Sequence, residues 1–314
     1  MINARPKIGI ILINFNSYND TAVCLRSLAK MTYAPLQIYV VHNGCVDQSP
    51  ATLQAEFPNS THIISEKNLG FSGGNNLGIA RALNDGAKHI LLLNNDTYVT
   101  PEFLEPLVER LLSDEKIAAV SGKIYYAPEA KNGASDIIWY AGCFRKWHTG
   151  YHHFGVNEHD TGKFETARTV PFASGCLMLM RGALLKSQGF LSEDYFLYWE
   201  EADWCQTAFA NGYVCYYEPR SVIFHNFRSA HLGEETPLYM YLQTRNAFIY
   251  SKRHYKGLLR LRFWLFYPIY LLNRYRFEVQ AKNYKSARAM LWGLSDYRKG
   301  FTGTAGLAER GFLR

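Results

Sequence analysis

Three short stretches of the sequence concentrate residues able to do chemistry. The first is Ile90-Leu91-Leu92-Leu93-Asn94-Asn95-Asp96. Its apolar half reads as a buried strand of a parallel sheet, and ligands of such sheets sit beyond the carboxyl ends of the strands. Asp96 thus stands where one carboxylate and a substrate's phosphates can share a hard cation. A turn built by Asn and Asp accounts for the same residues without chemistry. The second is Asn68-Leu69-Gly70-Phe71-Ser72-Gly73-Gly74-Asn75, a glycine-rich turn feeding a helix expected over about 75–85. Glycines let backbone approach a ligand closely, and a helix N-terminus favours an anion. The spacing matches neither the dinucleotide fingerprint nor the P-loop, and a plain tight turn explains it equally well. The third is Trp199-Glu200-Glu201-Ala202-Asp203-Trp204, three acids opening a helix that stops at Asn211-Gly212. Complementing the helix dipole is worth only about 0.3–1 kcal/mol per acid. Three acids beside Tyr195, Phe196, Tyr198, Trp199 and Trp204 exceed that need, so a functional acid is favoured. Glu200 and Asp203 share one helix face and Glu201 points about 100° away, so the three compete for one cleft.

The elements that must position these residues alternate. Apolar runs predict strands over 7–13, 37–41, 61–65, 118–124, 170–180 and 213–224. Helices are expected over 20–30, 51–57, 101–112 and 237–255. The first strand ends at Asn14 and Asn16, the second at His42, Asn43 and Asp47, and the last at His225. The 170–180 strand passes through Ser174-Gly175-Cys176. Residues 127–165 read as a long loop or a hairpin excursion, in which His148, His152 and His153 are solvated rather than metal-bound.

Composition bounds the rest. With 314 residues, 48% hydrophobic and 19% charged, the chain builds a packed core and is not disordered. Six cysteines without a C-x-x-C pair argue against a zinc site or disulfide framework and for a reducing compartment. No signal peptide, spanning helix or internal repeat is read. The net charge of +7 fits a phosphorylated substrate, an anionic membrane or nucleic acid. Nucleic acid is set aside because the basic residues gather in the C-terminal third and no recognised motif accompanies them. Over 256–285, Arg260, Arg262, Arg274 and Arg276 interleave with aromatics, and Pro268 breaks the run. An interfacial membrane helix and a helix packed on the domain or a partner subunit carry equal weight there.

As an ordered set, these residues resemble the family 2 glycosyltransferases, above all the bacterial branch that builds O-antigen, capsule and cell-wall glycans and includes rhamnosyltransferases. The resemblance implies an α/β, GT-A nucleotide-diphospho-sugar transferase fold. It would form a single Rossmann-like domain with a mixed central sheet over 1–250, plus a C-terminal helical extension over 251–314. It assigns Asn14, Asn16, His42, Asn43 and Asp47 to the nucleoside, with His42 where the family usually has Asp. Asn68, Gly70, Phe71, Gly73 and Asn75 match the second nucleotide-binding segment. Asn94-Asn95-Asp96 matches the D-x-D metal motif, with Asp96 its only carboxylate; His225, with Ser229 four residues on, matches a motif near metal and diphosphate. Gly175, Trp199 and Trp204 fall on the acceptor side. Of the acidic run Glu200, Glu201 and Asp203, it makes Glu201 the general base. An arginine usual near Thr207 is missing. Arg245-Asn246 and Gly293-Leu294-Ser295-Asp296 recur in this branch. The implied activity is inverting, Mg2+- or Mn2+-dependent transfer from a dTDP or UDP sugar to a glycan or polyprenyl-linked acceptor. The implied place is cytoplasmic, peripheral at the inner face of the cell membrane, with a homodimer left open. A non-catalytic nucleotide-sugar binding module is the rival, and it would not need Glu201.

Overall fold

The computed structural model describes residues 5–131, 133, 135–146, 150–226 and 236–313; His148 and Ser229 lie outside them. The first half alternates strand and helix: β1 (Ile8–Asn14), α1 (Tyr18–Leu28), β2 (Leu36–Asn43), α2 (Ser49–Glu56), β3 (Thr61–Ser65), α3 (Gly70–Asn84) and β4 (His89–Leu93). β1 pairs in parallel with β2 and β4, and β2 with β3. β4 is apolar and buried throughout, as a strand covered on both faces must be. The chain continues through β5 (Thr97–Val99), α4 (Leu104–Leu112), β6 (Ile117–Tyr126), β7 (Ile138–Tyr140), β8 (Cys143–Lys146), β9 (Gly150–His153), β10 (Arg168–Val170), β11 (Leu177–Arg181), α5 (Gly182–Gln188), α6 (Glu200–Ala210) and β12 (Val214–His225). The sheet order is β10-β12-β6-β11-β4-β1-β2-β3, with β5 added to β12 and β7 to β6. β11 runs antiparallel to both β4 and β6, which makes the sheet mixed. The carboxyl ends of β1, β2 and β4 therefore lie side by side and bring Asn14, Asn43 and the Asn94–Asp96 segment to one edge.

Several expectations change. The 170–180 strand is two strands, β10 and β11, separated by a turn at 171–176. The stretch expected to be a long loop or a hairpin excursion carries β7 and the antiparallel pair β8–β9, and His153 packs edge-on against Trp139 and Tyr140. Burial pushes the His153 imidazole down to about 4, so it is not a solvated loop histidine.

Three helices close the chain: α7 (Pro237–His254), α8 (Gly257–Gln280) and α9 (Tyr284–Arg298). Pro268 lies inside α8 and does not break it. Phe263 and Tyr267 stack at 4.5 Å and both pack on Phe248 of α7, which holds the turn around the proline. α9 approaches α7 at Gly293, where a Cβ would meet the Tyr241 carbonyl oxygen at 2.5 Å. Asp296, fully buried, accepts from Tyr241 Oη at 3.0 Å and from Arg310 Nη2 at 2.8 Å, pinning the C-terminal tail to both helices.

Candidate active site

At the ends of β1 and β2 the polar side chains bind one another. Asn14 is fully buried; its Oδ1 accepts from the Ser17 amide at 3.1 Å, which orients its Nδ2 towards Ser49 Oγ and His42 Nδ1. Because Asn14 Nδ2 can only donate, His42 Nδ1 accepts at 3.0 Å and its Nε2–H is left for His62 Nδ1, also at 3.0 Å. His62 Nε2 then donates to the Phe57 carbonyl. His42 is neutral in this arrangement, since burial and then the neighbouring His62 push it down to about 4. His42, assigned by the resemblance to the nucleoside, is fully buried with both ring nitrogens engaged within the protein, and it positions the strand end. Asn16 and Asp47 stay exposed on the loops above, Asn16 Oδ1 accepting from the Val46 amide.

The glycine-rich segment is helical from Gly70, five residues earlier than expected. Asn43 holds it: Oδ1 accepts from the Leu69 amide, and Nδ2 donates to Asn68 Oδ1 and the Gly70 carbonyl. Gly70 has φ +70, and a Cβ there would collide with the Phe196 carbonyl. That carbonyl takes the Phe71 amide at 2.7 Å and the Ser72 amide at 3.3 Å. These two donors of the helix N-terminus are thus spent on the protein, a correction to the anion reading. Asn75 is buried and donates to the Phe71 carbonyl; Gly73 lies against Leu69.

Asp96 follows β4 as a partly exposed carboxylate. The Asn94 amide donates to the Cys176 carbonyl at 3.0 Å, and Asn95 Nδ2 to Thr21 Oγ1 at 2.8 Å, so both asparagines are tied into the strand end. His225 Nε2, at the end of β12, donates to Asp96 Oδ1 at 3.1 Å. Burial disfavours a charge on His225, but the Asp96 carboxylate and the Cys176 thiol outweigh it and hold the imidazole well above its ordinary range. Among the described residues no three His, Cys, Asp or Glu side chains form a ready metal cage. The donor set still fits a cation completed by a ligand. Asp96 remains 32% exposed at the strand end, and Mg2+-type sites commonly use one or two carboxylates plus substrate phosphates.

The turn at 171–176 joins this corner to the acids. Its Cys176 carbonyl holds Asn94, and a Cβ on Gly175 would sit 3.1 Å from the Phe71 ring and 3.9 Å from Glu201 Cβ. Glu201, in the first turn of α6, keeps Oε2 shielded from water with no hydrogen-bond partner among the described residues. Burial pushes its carboxyl up to about 7. Glu200 is buried outright, and burial followed by the Glu201 charge holds it well above the carboxylate range, which favours its protonated form. Asp203 is also corrected. Its Oδ1 accepts from Tyr195 Oη and His254 Nε2, each at 2.7 Å, and Arg253 Nη1 lies at 3.4 Å. Burial alone would raise Asp203, but the bonds from His254 and Tyr195 outweigh it and hold the carboxyl below its usual range. It anchors α6 to α7, and Arg253 stands where no arginine follows from Thr207. Trp204 is buried, its Nε1 donating to the Gly189 carbonyl, so it belongs to the core and not to an acceptor surface. Trp199 remains half-buried between Tyr151 and Tyr250 and donates to Gln243 Oε1 at 2.8 Å.

The segment leading into α6 is strained. Phe196, Tyr198 and Trp199 have φ of 68, 68 and 82°, a region costing roughly 1–3 kcal/mol for each non-glycine residue. Two buried residues of α7 over-determine it. Asn246 Nδ2 donates to the carbonyls of Tyr195, Leu197 and Tyr198 at 3.0, 2.9 and 3.0 Å. Arg245, fully buried, donates to Asn246 Oδ1, the Tyr195 carbonyl and the Gly303 carbonyl of the tail. Asn246→Ala leaves three carbonyls without this donor. It should cost about 2–4 kcal/mol, counting about one net hydrogen bond each. The urea midpoint reads this; an unchanged midpoint would mean that the clamp is idle.

The model of the family described as Glycosyl transferase family 2 matches residues 9–189. This chain belongs to that family. Among relatives of this family 2 chain, the Escherichia coli "Uncharacterized glycosyltransferase YibD" is 27% identical over 117 residues, covering 37% of this chain and 33% of that protein. The Haloferax volcanii "Low-salt glycan biosynthesis hexosyltransferase Agl10" is 24% identical over 202 residues, 64% of this chain and 61% of its own. The chain thus spans between one third and two thirds of these two curated relatives. The Mycobacterium tuberculosis N-acetylglucosaminyl-diphospho-decaprenol L-rhamnosyltransferase is 20% identical over 255 residues, covering 74% of this chain and 80% of that protein. The mannosyltransferase PcManGT from Pyrobaculum calidifontis, solved with GDP-Man and Mn2+, aligns with a TM-score of 0.56 at 17% identity over 98% of this chain and 80% of its own. GalNAc-T7, solved with UDP, GalNAc and Mn2+, aligns at 0.57 and 13% identity over 80% of this chain and 50% of its own. The family 2 chain has the GT-A fold.

Proposed function

We propose that this chain is an inverting glycosyltransferase that moves a sugar from a nucleotide diphosphate to an acceptor hydroxyl. The observation that carries this reading is Glu201. Its Oε2, like that of Glu200, is buried without a hydrogen-bond partner among the described residues, and Glu201 lies against Gly175 of the turn whose Cys176 carbonyl holds Asn94, two residues before Asp96. A base works best with a pKa near the working pH, and burial brings Glu201 to about 7. Glu201 Oε2 takes the proton of the acceptor hydroxyl. The hydroxyl oxygen bonds to C1 of the sugar as the bond from C1 to the diphosphate oxygen breaks. A single displacement inverts C1. Asp96 would hold a divalent cation, Mg2+ or Mn2+, that neutralises the leaving diphosphate, while His225, the other expected ligand, carries a proton on Nε2 and instead orients the Asp96 carboxylate. Half-buried Trp199 offers an apolar wall for the acceptor, and Asn16 and Asp47 are exposed on the loops where a nucleoside of a dTDP or UDP sugar would bind.

The finer reading is rhamnosyl transfer to a glycan or polyprenyl-linked acceptor in cell-surface polysaccharide synthesis. It is supported by the likeness to the mycobacterial rhamnosyltransferase. The test is acceptor-dependent release of nucleoside diphosphate from dTDP and UDP sugars, with the product's anomeric configuration read by NMR. Inversion is expected. Retention at C1 would exclude a single displacement on Glu201.

A further inference from the structure

Helix α8 carries an apolar face that no described part of the chain covers. Phe263 and Tyr267 turn inward, and Glu278 is buried with Arg274 at 2.7 Å. Leu258, Leu261, Leu265, Ile269 and Leu272 recur every three or four residues and so share a different face. Each is 48% exposed or more. Trp264, Phe266 and Phe277 beside them are exposed as well. Contiguous apolar surface of this kind marks an interaction site. Trp264 and Leu272 also line a cavity of about 420 Å³ between α7, α8 and α9, so the apolar surface continues inward.

The charges identify what covers it. Lys256, Arg260, Arg262, Arg276, Lys282 and Lys285 are all exposed along this segment. Glu278, buried and paired, is the only acid in the sequence from 256 to 288. A second copy docked two-fold on this face would set these cations against their own kind. An anionic surface would be drawn to them. No helix among the described residues is long and apolar enough to cross a membrane. We propose that α8 lies flat in the interface of an anionic bilayer, with its leucine stripe among the acyl chains and its basic side chains among the lipid phosphates. The helix begins three residues after His254, which grips Asp203 on α6, so the lipid surface and the catalytic helix share one frame.

Co-sedimentation of the full chain tests this with vesicles of phosphatidylcholine alone or mixed with phosphatidylglycerol, beside light scattering for oligomeric state. Binding should require phosphatidylglycerol and weaken with salt. Leu261→Glu with Leu265→Glu, both exposed and remote from the site, should abolish it. Arg262→Gln with Arg276→Gln should lower the partition coefficient about thirty-fold, roughly fivefold per charge. Equal binding to neutral vesicles, or binding indifferent to both pairs, would overturn the proposal. So would a dimer that the leucine variants dissolve while the wild-type chain ignores vesicles, since the face would then join two copies.

Discussion

In Glu201→Gln, kcat should fall by about 10²–10⁴-fold, the usual share of general acid–base catalysis, while donor affinity holds. The substitution keeps the size of the side chain and removes the proton acceptor. The pH profile gives a second readout. Burial raises Glu201 to about 7, so its ionised fraction, and with it kcat/KM, should drop tenfold per unit as pH falls below that value. The profile of Glu201→Gln should be flat there. Asp203→Asn is the control. Three donors hold Asp203 in place, so its loss should lower the melting temperature and leave the pH profile where it was. Near-native turnover in Glu201→Gln, with Asp203→Asn dead but fully folded, would move the base to Asp203.

Asp96→Ala should remove transfer and metal-dependent nucleotide binding together. Asp96 is the only carboxylate of its segment, and its loss also strips His225 of its anionic partner. The binding half is measured without turnover. UDP or dTDP with Mn2+ should raise the melting temperature of the wild-type chain, as any ligand selective for the native state does, and should fail to do so in the variant. Full activity of Asp96→Ala, or of the wild type in excess EDTA, would refute a cation at this corner.

The strand ends that frame the site were legible because doubly covered strands must be apolar throughout, and the polar residues that end such runs stand out. Asn14, Asn43 and Asp96 all follow from that contrast. Helix α6 was legible for a related reason, since acids cluster at its first turn and Asn211-Gly212 stops it. What escaped depends on contacts distant in sequence. Glycines at 70, 73 and 74 read locally as a turn, yet α3 starts at Gly70 because the Phe196 carbonyl receives its first amides. Which acid is the base could not be read from the helix wheel alone. The proposal of Glu201 turns on His254 and Tyr195 occupying Asp203 and on burial favouring the protonated form of Glu200. The pairing of His42 with His62 escaped because His62 lies on the neighbouring strand, where one sequence gives no sign of it. Arg245 and Asn246 drew notice through the resemblance, but their partners, the backbone carbonyls of Tyr195, Leu197, Tyr198 and Gly303, leave no trace in side-chain pattern.

The clamp on the segment before α6 also bears on how such enzymes can be recombined. The family match ends at residue 189, while Glu201, its strained approach and the asparagine that holds it all lie beyond. A hybrid crossing over near Gly189 would inherit Glu201, clamp and tail as one block. It would then have to match the new partner only at seams such as the Phe71 and Ser72 amides on Phe196. A crossover between α6 and α7 would instead split the strained segment from the residue that holds it. Exchange of donor preference between relatives is therefore expected to be portable at the first junction and crippling at the second.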